Sequence, residues 1–251
     1  MISIITINYN NATGLLKTLN SIDKQICINK FEHIIIDGES QDMSKSFINN
    51  YANTSANVKW VSEPDTGIYN AMNKGIKMSS GSFIAFLNSG DVLADQNSLQ
   101  KLFNTLNNNS SIDFVYGNID IIDKLGKIKR KWLSGKFSML KLYIGWMPPH
   151  PMATIRKSII LKHSGFDESY TISSDYDLML RILLKKKLDI EYINCVMVKM
   201  EEGGISNSSI FKILRANLEV LKSWYKLKGL RAPFWVFLLK PFSKLNQYKN
   251  Q

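Results

Sequence analysis

Residues 62–91 read SEPDTGIYNAMNKGIKMSSGSFIAFLNSGD, and the rest of the chain is legible outward from them. Ile68, Met72 and Ile76 recur four apart, with Ala71 and Gly75 beside them, which predicts a helix with one apolar face and a small-residue strip. Phe83 to Leu87 is a short apolar run of the kind buried in a parallel sheet. It stops at Asn88-Ser89-Gly90-Asp91, so Asp91 is expected just past a carboxyl strand end, where open α/β sheets bind ligands. Asp65, Asn73, Lys74 and Asp91 are therefore expected around one phosphate-bearing, metal-assisted site.

Toward the N-terminus the same pattern repeats. Ile2 to Ile7 is a β-branched run that suits a central first strand, and it ends in the polar cluster Asn8-Tyr9-Asn10-Asn11. A helix is expected from about Thr13, with Leu15, Leu16, Leu19 and Ile22 on its apolar face. Phe31 to Ile36 predicts a second strand, ending at Asp37-Gly38-Glu39-Ser40-Gln41-Asp42. A helix through Phe47, Ile48 and Tyr51 and a third strand, Val58 to Val61, lead back to the quoted stretch. Asp95 to Leu106 is the next expected helix. Strands alternating with helices, each strand ending in polar residues, argue for a mostly parallel α/β sheet with helices on both faces.

After Asp113 the alternation breaks. Phe114 to Lys131 predicts a ribbon turning near Leu125-Gly126. Met147-Pro148-Pro149-His150-Pro151 is a stiff loop before a strand, Met152 to Ile155, and Arg156 to His163 suits a short helix. Ser173 to Asp177 opens another helix, and Tyr192 to Met200 is a late strand. From Ser206 onward nine Lys or Arg face one acid, Glu219. Ile210, Leu214, Leu218, Leu221 and Trp224 recur at helical spacing, and Phe234 to Leu239 is an aromatic-aliphatic run. Two readings stand for this tail: an interfacial element at an anionic membrane, or a helix packed on the domain. The organisation expected is a nucleotide-binding half over 1–112, an acceptor and catalytic half over 113–205, and a basic extension over 206–251.

Composition narrows the function. The 251 residues carry 32 Lys+Arg against 21 Asp+Glu, a formal net charge of +11 and a pI near 9.5, which favours an anionic partner. Two cysteines without metal-ligand spacing fit a reducing cytosol. The first residues read as a strand rather than a signal peptide, and no window reaches the roughly 18–20 apolar residues of a membrane span. A cytoplasmic protein, soluble or peripheral at the membrane, is expected. Basic charge concentrated in the tail, rather than spread with aromatics along a sheet face, argues against nucleic acid.

Individual residues have chemistry to offer and plain alternatives. Asp37 can accept from a nucleobase imide N–H, with Thr6 and Asn8 flanking it, or it can shape its turn and cap the next helix. Asp91 suits Mg²⁺ or Mn²⁺, which take carboxylate, water and phosphate oxygens, or it can cap a helix. Lys74 can add charge at phosphates or lie solvated. Asp175 can deprotonate an acceptor hydroxyl or serve as an N-cap. His150 can touch phosphate or a buried carbonyl. Gly203-Gly204-Ile205-Ser206 can offer backbone N–H groups to an anion or simply turn the chain.

Taken together, SIITINYN over 3–10, Asp37-Gly38-x-Ser40-x-Asp42, Ser62 to Gly75 and FLNSGD over 86–91 resemble the inverting family 2 glycosyltransferases of the GT-A fold. Tyr116-Gly117-Asn118, His150, Gly165-Phe166-Asp167-Glu168, Ser174 to Leu178 and Gly203 to Ser206 follow in that family's order. The chain is similar to bacterial enzymes that assemble O-antigen, capsule or colanic acid repeat units. The resemblance spans about residues 1–210. It implies a nucleotide-sugar donor, UDP-linked by expectation, held by Thr6, Asn8, Asp37, Asp65, Asn73, Lys74 and His150. It also implies a divalent metal, Mn²⁺ or Mg²⁺, on Asp91, Asp175 as base, and an acceptor glycan often carried on a polyprenyl diphosphate at the inner membrane face.

The chain also departs from that pattern. Many members carry Asp-x-Asp-Asp where Asn88-Ser89-Gly90-Asp91 stands, Ser174 replaces an acid often seen before the base, and Asn118 stands where Asp is frequent. Two other classes remain alternatives. A sugar nucleotidyltransferase would carry a Gly-rich basic loop after strand one, and Asn8 to Gly14 holds one Gly and no basic residue. A basic membrane-binding module without catalysis is the other.

Overall fold

The computed structural model describes residues 1–27, 31–185, 188–203, 210–229 and 235–236. Its N-terminal half alternates as expected: β1 (Ile2–Asn8), α1 (Ala12–Asp23), β2 (Phe31–Asp37), α2 (Ser44–Thr54), β3 (Val58–Ser62), α3 (Ile68–Met78) and β4 (Phe83–Phe86). β1 pairs in parallel with both β2 and β4, and β2 with β3, giving the order 3-2-1-4. The chain thus leaves β1 to one side and returns on the other, and the carboxyl ends at this reversal form a crevice.

Period-two alternation decides which side chain packs where. Ile5 and Ile7 of β1, Ile34 and Ile36 of β2 and Phe86 of β4 join the core beneath α3. Ile2, Ile4, Ala85 and Leu87 face the opposite core, which reaches the helix α4 (Ser98–Asn108). α3 buries Tyr69, Met72 and Ile76, contributing about 1.5–3 kcal/mol for each large side chain removed from water. Its small-residue strip has a specific use. A Cβ on Gly75 would stand 2.4 Å from Cγ2 of Ile5, so the helix seats directly on β1. On α1, Leu16 is exposed rather than packed; Gly14 and Thr18 take the inward positions beside Leu15, Leu19 and Ile22.

The second half is mixed, as the broken alternation suggests. β6 (Phe114–Ile122) and β7 (Ile128–Trp132) form the expected ribbon around Gly126, and β8 (Thr154–Arg156) lies antiparallel between β4 and β6. β9 (Ile190–Glu201) runs parallel to β6 and antiparallel to the two-residue β5 (Val92–Leu93). Neither β5 nor the short helix α5 (Met139–Tyr143) has a periodic signature in the sequence. α6 (Lys157–Lys162) and α7 (Ser174–Lys185) fall where expected.

The tail forms α8 (Ile210–Lys228), but its inward face differs from the expected one. Glu219, Val220, Ser223 and Trp224 are buried, whereas Leu214 and Leu218 are exposed. Trp224 donates from Nε1 to the Tyr176 hydroxyl at 2.9 Å, and with Val220, Leu180 and Val236 it makes a small separate core. The helix therefore packs on α7 and still presents Phe211, 83% exposed, and Leu218, 62% exposed, outward. Most of Gly203 to Ser206 and of Phe234 to Leu239 lies outside the described residues. No helix among the described residues is long and apolar enough to cross a membrane.

Candidate active site

The crevice gathers three strand ends. Asn8 closes β1, Asp37 closes β2, and the turn Asn88–Asp91 follows β4. Asp37 is fully buried and accepts four hydrogen bonds from the protein itself: the Asn8 amide at 2.8 Å, the Ser40 hydroxyl at 2.6 Å, the Ser40 N–H at 2.9 Å and the Ser62 hydroxyl at 2.7 Å. Burial pushes its carboxyl up, but these donors outweigh that and hold it below its ordinary value. Four bonds fill the lone-pair positions of a carboxylate, so a base would have to displace one of them. Thr6 corrects the sequence expectation. It is fully buried, donates to the Leu87 carbonyl at 2.7 Å and pairs with His33 at 2.9 Å, so it welds β1 to its neighbours and does not reach the opening.

The open groups at this end are others. Asn8 keeps its Oδ1 buried and without a partner among the described residues. Asp65 reaches over from the β3–α3 loop. A Cβ on Gly38 would meet its Oδ2 at 2.6 Å and the Tyr9 ring at 3.1 Å, so Gly38 is the gap that lets both close in. Tyr9 is largely exposed there, and its neighbourhood was not legible from spacing.

The turn after β4 is pinned from α1. The Thr18 hydroxyl donates to the Asp91 carbonyl at 2.8 Å and accepts from the Gly90 N–H at 3.0 Å. Gly90 has φ +103°, a conformation L side chains rarely adopt, so the turn favours glycine at this position. Burial pushes the Asp91 carboxyl up to about 7, and the Asn88 Oδ1 is buried with no partner among the described residues. An under-neutralised carboxylate beside an orphaned amide oxygen is a donor pair that suits a hard cation. No group of three His, Cys, Asp or Glu side chains gathers among the described residues, so donor phosphate and water would have to complete such a shell.

Asn73 and Lys74 are occupied elsewhere. Asn73 donates to the Phe166 carbonyl at 2.9 Å and to Glu168 at 2.8 Å, and accepts the Phe166 N–H at 2.9 Å. It thereby fastens the Gly165-Phe166-Asp167-Glu168 loop to α3. Lys74 pairs with Glu63 at 2.7 Å and donates to the Pro64 carbonyl at 2.7 Å, bracing the loop that carries Asp65.

Phe166 joins the two halves. It stacks on Tyr69 at 5.7 Å and meets Phe86 at 5.2 Å and His150 at 5.9 Å edge-on, while His150 stacks on Phe86 at 5.2 Å. Both His150 ring nitrogens are buried and without partners among the described residues. Burial pushes its pKa down and the Asp175 charge pulls it up. Tyr69 feels the same charge, after burial, and its phenol is raised. Asp175 thus sits in the first turn of α7 within electrostatic reach of the end of β4. Asp177, on the same turn, is structural: Arg181 donates to it at 2.7 Å and to the Gly165 carbonyl at 2.7 Å.

One further residue was invisible to spacing. Glu219 of α8 accepts the backbone N–H groups of Thr171 and Ile172 at 2.9 Å and of Ser173 at 2.8 Å, the segment that leads into Asp175.

The glycosyl transferase family 2 profile matches residues 3–173. An uncharacterised glycosyltransferase of Mycobacterium tuberculosis is 29% identical over 226 residues, covering 85% of this chain and 81% of that protein. A PGL/p-HBAD biosynthesis glycosyltransferase of Mycobacterium bovis is 28% identical over 214 residues, covering 84% and 81%. Among solved structures, S. aureus TarS 1-349 in complex with UDP-GlcNAc superposes with TM-score 0.70 at 17% identity, covering 96% of this chain and 72% of that one. A mannosyltransferase from Pyrobaculum calidifontis in complex with GDP-Man and Mn²⁺ gives 0.69 at 14% identity, covering 99% and 73%. The fold is that of the GT-A glycosyltransferases, and the chain belongs to glycosyl transferase family 2.

Proposed function

We propose that the protein is an inverting glycosyltransferase that moves a sugar from a nucleoside diphosphate donor, UDP-linked by first choice, to a hydroxyl of a lipid-linked glycan in bacterial surface polysaccharide synthesis. The observation that carries this reading is the aromatic bridge from Phe86 at the end of β4 through His150 and Phe166 to Tyr69, because its two polar rings, His150 and Tyr69, are the groups on which the Asp175 charge acts. Asn8, Tyr9 and Asp65 are assigned to the nucleoside, with Asp37 shaping the pocket beneath them. Asp91 and the Asn88 amide would hold Mn²⁺ or Mg²⁺, whose charge, when bound, favours a leaving diphosphate.

Asp175 accepts the proton of the acceptor hydroxyl as its oxygen attacks the anomeric carbon. The bond to the diphosphate oxygen breaks on the opposite face, and that carbon inverts. His150, whose ring nitrogens have no partner among the described residues, is assigned to donor phosphate. The outward apolar groups of α8, together with the basic tail, support a peripheral seat on an anionic membrane face.

A thermal-shift screen of nucleoside diphosphate sugars with Mn²⁺ identifies the donor, since a ligand of the native state raises apparent stability. Asp175→Asn should then lower transfer by about 10²–10⁴-fold, the usual worth of a general base, with donor binding unchanged. Preserved turnover would remove Asp175 as the base. The same substitution abolishing donor binding would place Asp175 in the donor pocket instead.

A further inference from the structure

The exposed apolar side chains of the described residues are not spread evenly. Leu140 is 78% exposed and Ile144 49% exposed, one helical turn apart at α5, and Met139 is exposed beside them. Trp235 is also exposed and donates from Nε1 to the Tyr143 carbonyl at 3.0 Å, which places its indole against the same short helix. The stretch of sequence that carries α5 has charge of one sign. No Asp or Glu occurs between Asp123 and Asp167, whereas that stretch holds eight Lys and two Arg. Lys141 lies over the Trp146 ring at 5.4 Å and donates to the Lys136 carbonyl at 2.7 Å, closing the loop that displays the patch.

We propose that residues 139–144 and Trp235 form a docking face for an anionic lipid bilayer, separate from the outward face of α8. Aliphatic and indole groups enter the headgroup boundary, and Lys136 and Lys141 of the same loop meet acidic lipid. The lysines of this loop, Lys136 and Lys141, favour this occupant over a second copy of the chain, whose equivalent lysines would repel them. The face is also wired to the proposed base. The Tyr143 ring packs on Trp224 at 5.2 Å, and Trp224 donates to Tyr176, the residue after Asp175. A bilayer seated here would present a lipid-borne acceptor to the side of the molecule that carries Asp175. The inference rests on the membrane-borne acceptor of the proposed function.

The test is cosedimentation of the full chain with phosphatidylcholine vesicles, with and without about 30% phosphatidylglycerol. Leu140→Ser/Ile144→Ser is compared with Leu214→Ser/Leu218→Ser, and nucleoside diphosphate binding reports that each variant is folded. The expected result is acidic-lipid-dependent binding that Leu140→Ser/Ile144→Ser weakens by about tenfold or more. Wild-type-like binding by that variant, with loss in Leu214→Ser/Leu218→Ser, would overturn the α5 face and leave the α8 seat standing. Equal binding to neutral vesicles would overturn the role of charge. No binding by the wild type would overturn both seats, while donor binding would still support the transferase reading. Self-association abolished by Leu140→Ser/Ile144→Ser would assign the face to a second copy and overturn the proposal.

Discussion

Glu219 accepts the backbone N–H of Ser173 at 2.8 Å, and Ser173 lies two residues before Asp175. With the N–H groups of Thr171 and Ile172 held by the same carboxylate, α8 sets the backbone from which the proposed base projects. Glu219→Gln leaves one accepting oxygen for three donors. We expect kcat to fall by about 10–100-fold, since small misplacements of a reacting group carry costs of that order. KM for the donor should stay near wild type, because the nucleoside pocket lies on other elements. Steady-state kinetics with both substrates checks the split; a fall in donor affinity of equal size would make Glu219 a general stabiliser only.

Asp91 is buried without a cationic partner among the described residues, and its carboxyl is raised by that burial. Asp91→Asn removes a costly buried charge and should leave the melting temperature of the ligand-free protein unchanged or higher. It should also abolish the extra stabilisation that Mn²⁺ adds to nucleoside diphosphate binding. Thermal shift with nucleotide alone and with nucleotide plus Mn²⁺ separates the two effects, and an unaltered metal response would remove Asp91 as a ligand.

Gly75 lets α3 seat on β1. Gly75→Ala gains about 1 kcal/mol in helix propensity, yet its Cβ would stand 2.4 Å from Ile5 Cγ2. Overpacking of this kind costs about 1–3 kcal/mol, so a net loss is expected in urea denaturation. A stabilised variant would show that the helix can lift without penalty.

Glu32 binds Lys59 at 2.8 Å and accepts from Ser3 and Ser80. Burial pushes its carboxyl up, but these partners outweigh it and hold the pKa at about 2, below the ordinary 4.5. The folded form therefore binds this proton more weakly than the unfolded chain. The stability gained is complete above pH 4.5 and is lost as pH falls toward 2, amounting to about 3 kcal/mol at most. Glu32→Gln should be less stable at neutral pH and should lose less between pH 4.5 and 2. Denaturation midpoints across that range check the slope.

The order of strands and helices was legible because burial imposes a period on the sequence. Ile2 to Ile7 and Phe83 to Leu87 had to lie in a covered sheet, and Ile68, Met72 and Ile76 had to share a helical face. Polar residues at the ends of those runs located the crevice. The ribbon around Gly126 followed from its turn residues.

Side-chain partners were not legible. Thr6 looked like a group at a strand end but is fully enclosed, because its hydroxyl is spent on Leu87 and His33. Asn73 holds a loop more than 90 positions away in sequence, and Glu219 holds one more than 45 away. The face of α8 shows the reason most plainly. Leu214 and Leu218 follow a helical period as well as Val220 and Trp224 do, so periodicity supplies two stripes and no choice between them. Tyr176 and the three N–H groups before Asp175 made that choice, through contacts that exist only once α7 and α8 meet. The sequence by itself determined a family 2 sheet with its crevice at the ends of β1 and β4. Tertiary structure alone decided which polar groups remain open there, since each buried donor or acceptor must find a partner and most partners lie far along the chain.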